Sequence, residues 1–157
     1  MLNNGSLSVR RLFYFLVYFI FFSCIVSFSP VKQSDIVNDI FKHTNQFRKS
    51  NGKTSLLLRD DLNEIARKHS ADMASGRKSI GHGGFKQREA LIRRKLNTMG
   101  IIGENVAYGA NTAKEVVTLW KNSPAHRKNM LGNYKYIGIG TASDRKGNIY
   151  FTQIFVH

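Results

Sequence analysis

The chain has 157 residues, a formal net charge of +14 and a single cysteine. This length suits one domain, and a lone cysteine excludes an internal disulfide. The excess of Lys and Arg favours anionic partners such as phospholipid headgroups, acidic polysaccharides or nucleic acid. The densest basic cluster has no interleaved aromatic residues on which bases would stack, so nucleic acid is not an expected partner. We call its basic residues the basic face: Lys86, Arg88, Arg93, Arg94 and Lys95.

The N-terminus has the pattern of a targeting segment. Arg10 and Arg11 precede an uncharged, mostly apolar run over residues 12–28, as in a signal sequence. The tetrad FFSC within this run resembles a bacterial lipoprotein signal, which predicts a lipid attached to Cys24. The chain would then be anchored to a bacterial membrane, with the cell surface (outer membrane) as the expected location.

Two alternatives to lipidation stay open. The apolar run is nearly long enough to span a bilayer as an uncleaved signal anchor, and cleavage after Ser29 would remove the cysteine altogether. The predicted organisation is a signal peptide or anchor over residues 1–24, a short tether over 25–34 and one domain over 35–157. All three alternatives place that domain outside the cytoplasm.

Five helices are predicted in chain order from apolar periodicity and from the residues that start and stop helices. The fourth opens with Thr112 and Glu115 at capping-box spacing, and Trp120 lies on its apolar face. The fifth follows Ser123, which is interpreted as its N-cap. The predicted ranges are 34–52, 59–76, 85–100, 111–123 and 124–131; His43 and His69 are interpreted as packed residues of the first two helices.

The strands are concentrated in the second half of the chain. Residues 101–109 are apolar and bounded by glycines, which indicates a strand or an extended loop. The last 24 residues contain two β-rich runs joined by SDRKGN, which predicts a hairpin of central strands. Gly138 and Gly140 in the first run predict a close approach by a neighbouring helix or ring. The fold class is therefore α+β.

Six segments together resemble one protein family. They are GHGGF, GENVAYG, EVVTLW, SPAHRKNML, YIGIGTA and YFTQIF, in this order between residues 81 and 155. In this order and at these separations they are similar to the CAP superfamily, whose module is also called the SCP domain. The resemblance covers about residues 36–157 and implies an α-β-α sandwich with a small central antiparallel sheet. The missing disulfides resemble the bacterial branch of the family.

The resemblance also implies a cleft. Many eukaryotic members line it with two histidines and two glutamates, and the matching residues here are His82, Glu104 and His126. The second glutamate is replaced by Ser123. Two imidazoles and a carboxylate form a ligand set for a divalent metal such as zinc, so these residues are a candidate zinc site, although no cofactor is required. The alternative is a hydrogen-bonded polar network that fixes the loops.

The expected function follows from this cleft and from the charge. Ser123 is explained as a helix cap rather than a nucleophile, so no catalytic residue is assigned and the chain is not expected to be an enzyme. The favoured hypothesis is a surface-tethered binding module for an anionic lipid, sterol, glycan or protein. The alternative is a metal-dependent hydrolase that uses His82, Glu104 and His126.

Overall fold

The computed structural model describes residues 33–157. Its elements are α1 (Gln33–Ser50), β1 (Leu57–Leu58), α2 (Asp60–Ala74), α3 (Phe85–Leu96), β2 (Ile102–Tyr108), α4 (Ala113–Asn122), α5 (Pro124–Met130), β3 (Tyr136–Ser143) and β4 (Ile149–Val156). Across these residues, no helix is both long and apolar enough to cross a membrane. The predicted signal segment, with its lipidated Cys24, lies outside the described residues. The predicted tether over residues 25–34 also lies outside them, except for its last two residues, which begin α1.

The sheet has the order β1-β3-β4-β2. As predicted, β3 and β4 are its central strands; they pair antiparallel, and β2 pairs antiparallel with the other edge of β4. The predicted hairpin is confirmed, with its turn closed by the Asp144 carboxylate, which accepts the backbone N–H groups of Lys146 and Asn148. The expected antiparallel sheet is present, and one edge adds a short strand that was not predicted, β1, which pairs parallel with β3. Two residues are too few to show an alternating pattern.

The helices cover both faces of this sheet, which confirms the α-β-α sandwich. One face carries α1, α4 and α5 around a core that includes Trp120, Phe151 and Phe155. Trp120 is fully buried, and its indole N–H donates to the Val106 carbonyl. The other face carries α2 and α3 around Leu62, Ala66, Ile92 and Ile154. Residues 31–157 form one compact unit that contains all these contacts, so we expect it to fold without the N-terminal segment.

Helix α2 lies almost directly on β3, and the two predicted glycines permit it. A Cβ atom at Gly138 would overlap Leu62, and one at Gly140 would overlap the backbone of Ala66 and Arg67. Because only glycine leaves this space empty, the helix axis can approach the sheet more closely than side chains normally allow. This approach brings His69 of α2 close to Glu104 of β2.

The helix ends contain one confirmed prediction and two corrections. Thr112 Oγ1 accepts the Glu115 N–H as expected, while the Glu115 carboxylate accepts the N–H of Asn111, one residue before the cap. Helix α3 ends at Leu96 rather than Gly100, because Asn97 adopts the left-handed conformation. Ser123 holds the N-cap position of α5, but its side chain makes no capping hydrogen bond, so that part of the prediction was wrong.

Candidate functional site

Glu104 is a buried carboxylate on the edge strand β2. Its side chain is only 2% exposed. Side chains alternate along a strand, so Glu104 lies on the face covered by α2 and α3, while Asn105 lies on the face covered by α4 and α5. A buried carboxylate is strongly destabilising unless it is paired and hydrogen-bonded, so its partners define the site.

Arg88 of α3 supplies the main partner. Its Nε donates to Glu104 Oε2 at 2.7 Å and its Nη2 donates to Oε1 at 2.7 Å. This two-point pairing is the strongest geometry for a carboxylate. The third nitrogen, Nη1, donates to the Gly83 carbonyl at 2.8 Å. With only 11% of its side chain exposed, Arg88 connects helix α3, the preceding loop and the sheet.

His82 completes the coordination of the carboxylate. Its Nδ1 donates to Glu104 Oε1 at 2.9 Å, while 54% of its side chain remains exposed. The loop reaches this position because Gly81 and Gly84 both have positive φ, a conformation that residues with a Cβ rarely adopt. The prediction that GHGGF is a tight loop is confirmed, and the structure brings His82 and Glu104 together.

His69 is a third histidine of the site, which sequence reasoning treated only as a packed residue. Its Nε2 donates to the Gly81 carbonyl at 2.8 Å and lies 4.0 Å from Glu104 Oε1. Burial, reinforced by the positive charge of Arg88, lowers the pKa of His69, so the ring is neutral at physiological pH. Its buried Nδ1 has no hydrogen-bond partner among the described residues. The only sequence signal was a polar ring on the apolar face of α2.

His126 lies on α5 and is connected to the site through the backbone. Asn105 donates to the His126 carbonyl at 3.2 Å, and Asn129 donates to the Glu104 carbonyl and to the Asn105 side chain, both at 3.0 Å. No hydrogen bond or ion pair within residues 33–157 joins the His126 ring to His82 or Glu104. Burial chiefly, and the nearby His82, lower the pKa of His126. Asn105 and Asn129 therefore position α5, a role that the sequence did not indicate.

The donor arrangement does not fit a divalent metal. Both Glu104 oxygens already accept N–H groups, and a cation bound to them would lie beside the Arg88 guanidinium, which repels it. Within the described part of the chain, no group of three or more His, Cys, Asp or Glu side chains is placed to hold a metal ion. Ser123 makes no side-chain hydrogen bond with these residues. The zinc site implied by the resemblance stays a prediction for experiment.

The basic face is divided by the fold. Arg88 was predicted to belong to it, but this residue is largely buried in the site. Arg93 is half-buried and bonds the Glu89 carboxylate and the Gly100 carbonyl. Lys86, Arg94 and Lys95 are exposed. Arg88 and Arg93 therefore have structural partners, and three of the five basic side chains remain on the surface.

The class of protein is set by the sandwich, by the histidine loop over a buried glutamate and by a matching family model. The model of the cysteine-rich secretory protein (CAP) family matches residues 41–155. The chain belongs to this family. It is 32% identical over 133 residues to the uncharacterized protein YkwD of Bacillus subtilis; the match covers 82% of this chain and 49% of the relative. The chain thus spans about half the length of that curated relative.

Solved structures show the same fold. An extracellular SCP-domain protein from Bacillus anthracis superposes with a TM-score of 0.68 at 24% identity, over 80% of this chain and 41% of that one. An outer surface protein from Borrelia burgdorferi has a TM-score of 0.69 at 20% identity, over 80% of this chain and 95% of that one. At these identities the likeness concerns the fold alone, and no activity is named for these proteins.

Proposed function

We propose that the chain is a non-catalytic binding module that acts outside the cytoplasm. The observation that carries this proposal is the occupied Glu104 carboxylate. A general base or metal ligand needs a free oxygen lone pair aimed at its target. Glu104 instead accepts three N–H groups at 2.7–2.9 Å, and the one lone pair left on Oε2 belongs to a side chain that is only 2% exposed. We therefore assign Glu104 the role of holding α3 and the His82 loop on the sheet.

The location is supported by resemblance and by sequence pattern. Similar structures are described as an extracellular protein and an outer surface protein, and the apolar run before the domain has the pattern of an export signal. Lipidation of Cys24 would tether the module to a membrane. The net charge of +14, from which cleavage before Cys24 would remove only Arg10 and Arg11, favours an anionic lipid or glycan as ligand. A sterol and a protein are the other candidates.

A metal-dependent hydrolase is the second candidate, and one observation favours it. Burial chiefly lowers the pKa of the His126 ring, and His82 lies close enough to lower it further. Two neutral imidazoles are suitable ligands for zinc. On this alternative, zinc would bind between the rings, and Glu104 would have to leave Arg88.

Zinc titration separates the two candidates. Residues 31–157 are titrated by calorimetry beside the double variant His82→Ala/His126→Ala, and hydrolysis of ester and peptide substrates is followed with and without zinc. The binding-module proposal expects no one-to-one zinc binding and no turnover in either protein. Tight zinc binding with turnover in the wild type, both lost in the double variant, would establish the hydrolase instead.

The tether has a test of its own. Mass spectrometry of the mature protein should find a diacylglyceryl group on an N-terminal Cys24, and Cys24→Ala should release the module from the membrane fraction. A mature protein that begins after residue 29 would show ordinary secretion, and an intact N-terminus would show an uncleaved anchor.

A further inference from the structure

A pocket beside the Glu104 site lies between α2 and α3, and His69 and Arg88 of that site form part of its wall. It has a volume of about 360 Å³, which is within the range of small-ligand sites. Its wall is apolar at Ile65 and Leu91, and cationic groups surround them. The lining residues on which the argument depends are Glu64, Lys68, Asp72, Lys78, Leu91 and Lys95.

The charges around this pocket are unbalanced. Its two carboxylates are already neutralised by arginines outside the lining, Glu64 by Arg67 at 2.7 Å and Asp72 by Arg77 at 2.8 Å.

The lysines of the pocket are not neutralised in this way. Between residues 33 and 157, no carboxylate lies within ion-pair distance of Lys68, Lys78 or Lys95. The pocket is therefore a concave surface with an excess of positive charge: the arginines chiefly, and the three lysines in addition, lower the pKa of Glu64 and Asp72. Such a surface suits an anionic group.

Large apolar side chains are exposed in the same segment. Met99 is 91% exposed, Ile80 and Ile101 are more than half exposed, and Leu91 of the pocket is also at the surface. Single exposed apolar residues are ordinary. The described residues include seven exposed large apolar side chains, and four of these fall between positions 80 and 101, at α3 and its two flanking loops. Apolar side chains interleaved with lysine and arginine are typical of surfaces that lie in a membrane interface.

We propose that α3 and its flanking loops bind the surface of an anionic phospholipid bilayer. The headgroup phosphate would lie in the pocket among Lys68, Lys78 and Lys95, and Met99 and Ile101 would enter the acyl boundary. This inference rests on the proposed function, because it names the partner of the binding module. It also gives two of the three exposed residues of the basic face a role, since Arg94 and Lys95 belong to the same surface.

Vesicle sedimentation of residues 31–157 tests the proposal. Vesicles contain either phosphatidylcholine alone or 30% phosphatidylglycerol. The charge variant is Lys68→Gln/Lys78→Gln/Lys95→Gln. Its matched control is Lys42→Gln/Lys49→Gln/Lys53→Gln. This control loses the same charge from exposed residues of α1 and the following loop. The apolar variant Met99→Gln is paired with Leu119→Gln, an exposed leucine of α4.

The expected result is binding to the anionic vesicles only. One lysine near an anionic surface contributes roughly fivefold to binding, so the charge variant should bind about 100-fold more weakly. Both control variants should bind within about threefold of the wild type, while Met99→Gln should weaken binding severalfold.

Three results would overturn the proposal. Equal losses in the charge variant and its control would show attraction by net charge alone. Unchanged binding in Met99→Gln, together with equally strong binding of free glycerol phosphate, would show a pocket for soluble anions. No vesicle binding would exclude the membrane partner, and the zinc titration would still decide independently whether the chain is a binding module.

Discussion

Removing the arginine that neutralises Glu104 should destabilise the fold strongly. In Arg88→Met the carboxylate keeps its buried position, but Oε2 loses its only partner and Oε1 keeps His82 alone. Removing one partner of a buried ion pair typically costs about 3–5 kcal/mol. Because His82 remains and Arg88 is slightly exposed, we expect about 3 kcal/mol, which includes the lost hydrogen bond to Gly83.

Urea unfolding measures this cost, since a lower midpoint at an unchanged slope reports a change in stability alone. The double variant Arg88→Met/Glu104→Gln removes both charges. If the cost comes from an unpaired buried carboxylate, the double variant should be more stable than Arg88→Met, and the coupling energy should fall at about 1–3 kcal/mol. A loss below about 1 kcal/mol in Arg88→Met, or an additive double variant, would refute the role assigned to Arg88.

Three further predictions concern packing and pH. Gly140→Ala should destabilise the fold severely, because its Cβ would overlap the backbone of α2. Gly83→Ala has open space around it, so its free energy of unfolding in the same urea assay should stay within about 0.5 kcal/mol of the wild type. Trp120→Ala should lower the free energy of unfolding by about 3–5 kcal/mol, because the side chain is fully buried. An unchanged urea midpoint would contradict its place in the core. Burial lowers the pKa of His69 in the folded state below 6.5. As the pH falls, His69 therefore takes up a proton in the unfolded state before it does so in the folded state. Stability should therefore fall as pH decreases through that value, and His69→Gln should weaken this dependence.

The fold was predictable because its signals are local or come from several linked motifs. Apolar periodicity, together with the residues that start and stop helices, located all five helices, and alternation located the central hairpin. The paired glycines of β3 predicted close packing without naming the partner. The short strand β1 could not be predicted, because two residues are too few to show an alternating pattern. Its pairing is made by backbone bonds, with Leu57 donating to Lys135 and Arg59 donating to Ile137. Such bonds leave no pattern in the side chains.

The site was only partly predictable. The family motifs supplied His82 and Glu104, and the structure brings these two residues together. His69 was missed because a histidine on an apolar helix face has the same pattern whether it packs alone or beside a carboxylate. Ser123 matched a capping pattern, yet whether its hydroxyl bonds the backbone depends on a rotamer that the sequence does not specify.

Arg88 shows how charge balance can supply what motif matching omits. Glu104 stands in an apolar strand sequence, and a buried carboxylate must be paired. Its partner should then be a basic residue on a helix face that also carries a buried apolar residue. Arg88 lies four positions before Ile92, the one fully buried residue of α3, and residues four apart share a face. Lys95, three positions after Ile92, shares this face too, but only an arginine can make the observed two-point pairing with a carboxylate. Arg93 and Arg94 lie one and two positions after Ile92 and therefore face elsewhere. The same reasoning makes a metal unnecessary for Glu104, because the charge that a cation would neutralise is already neutralised by the protein.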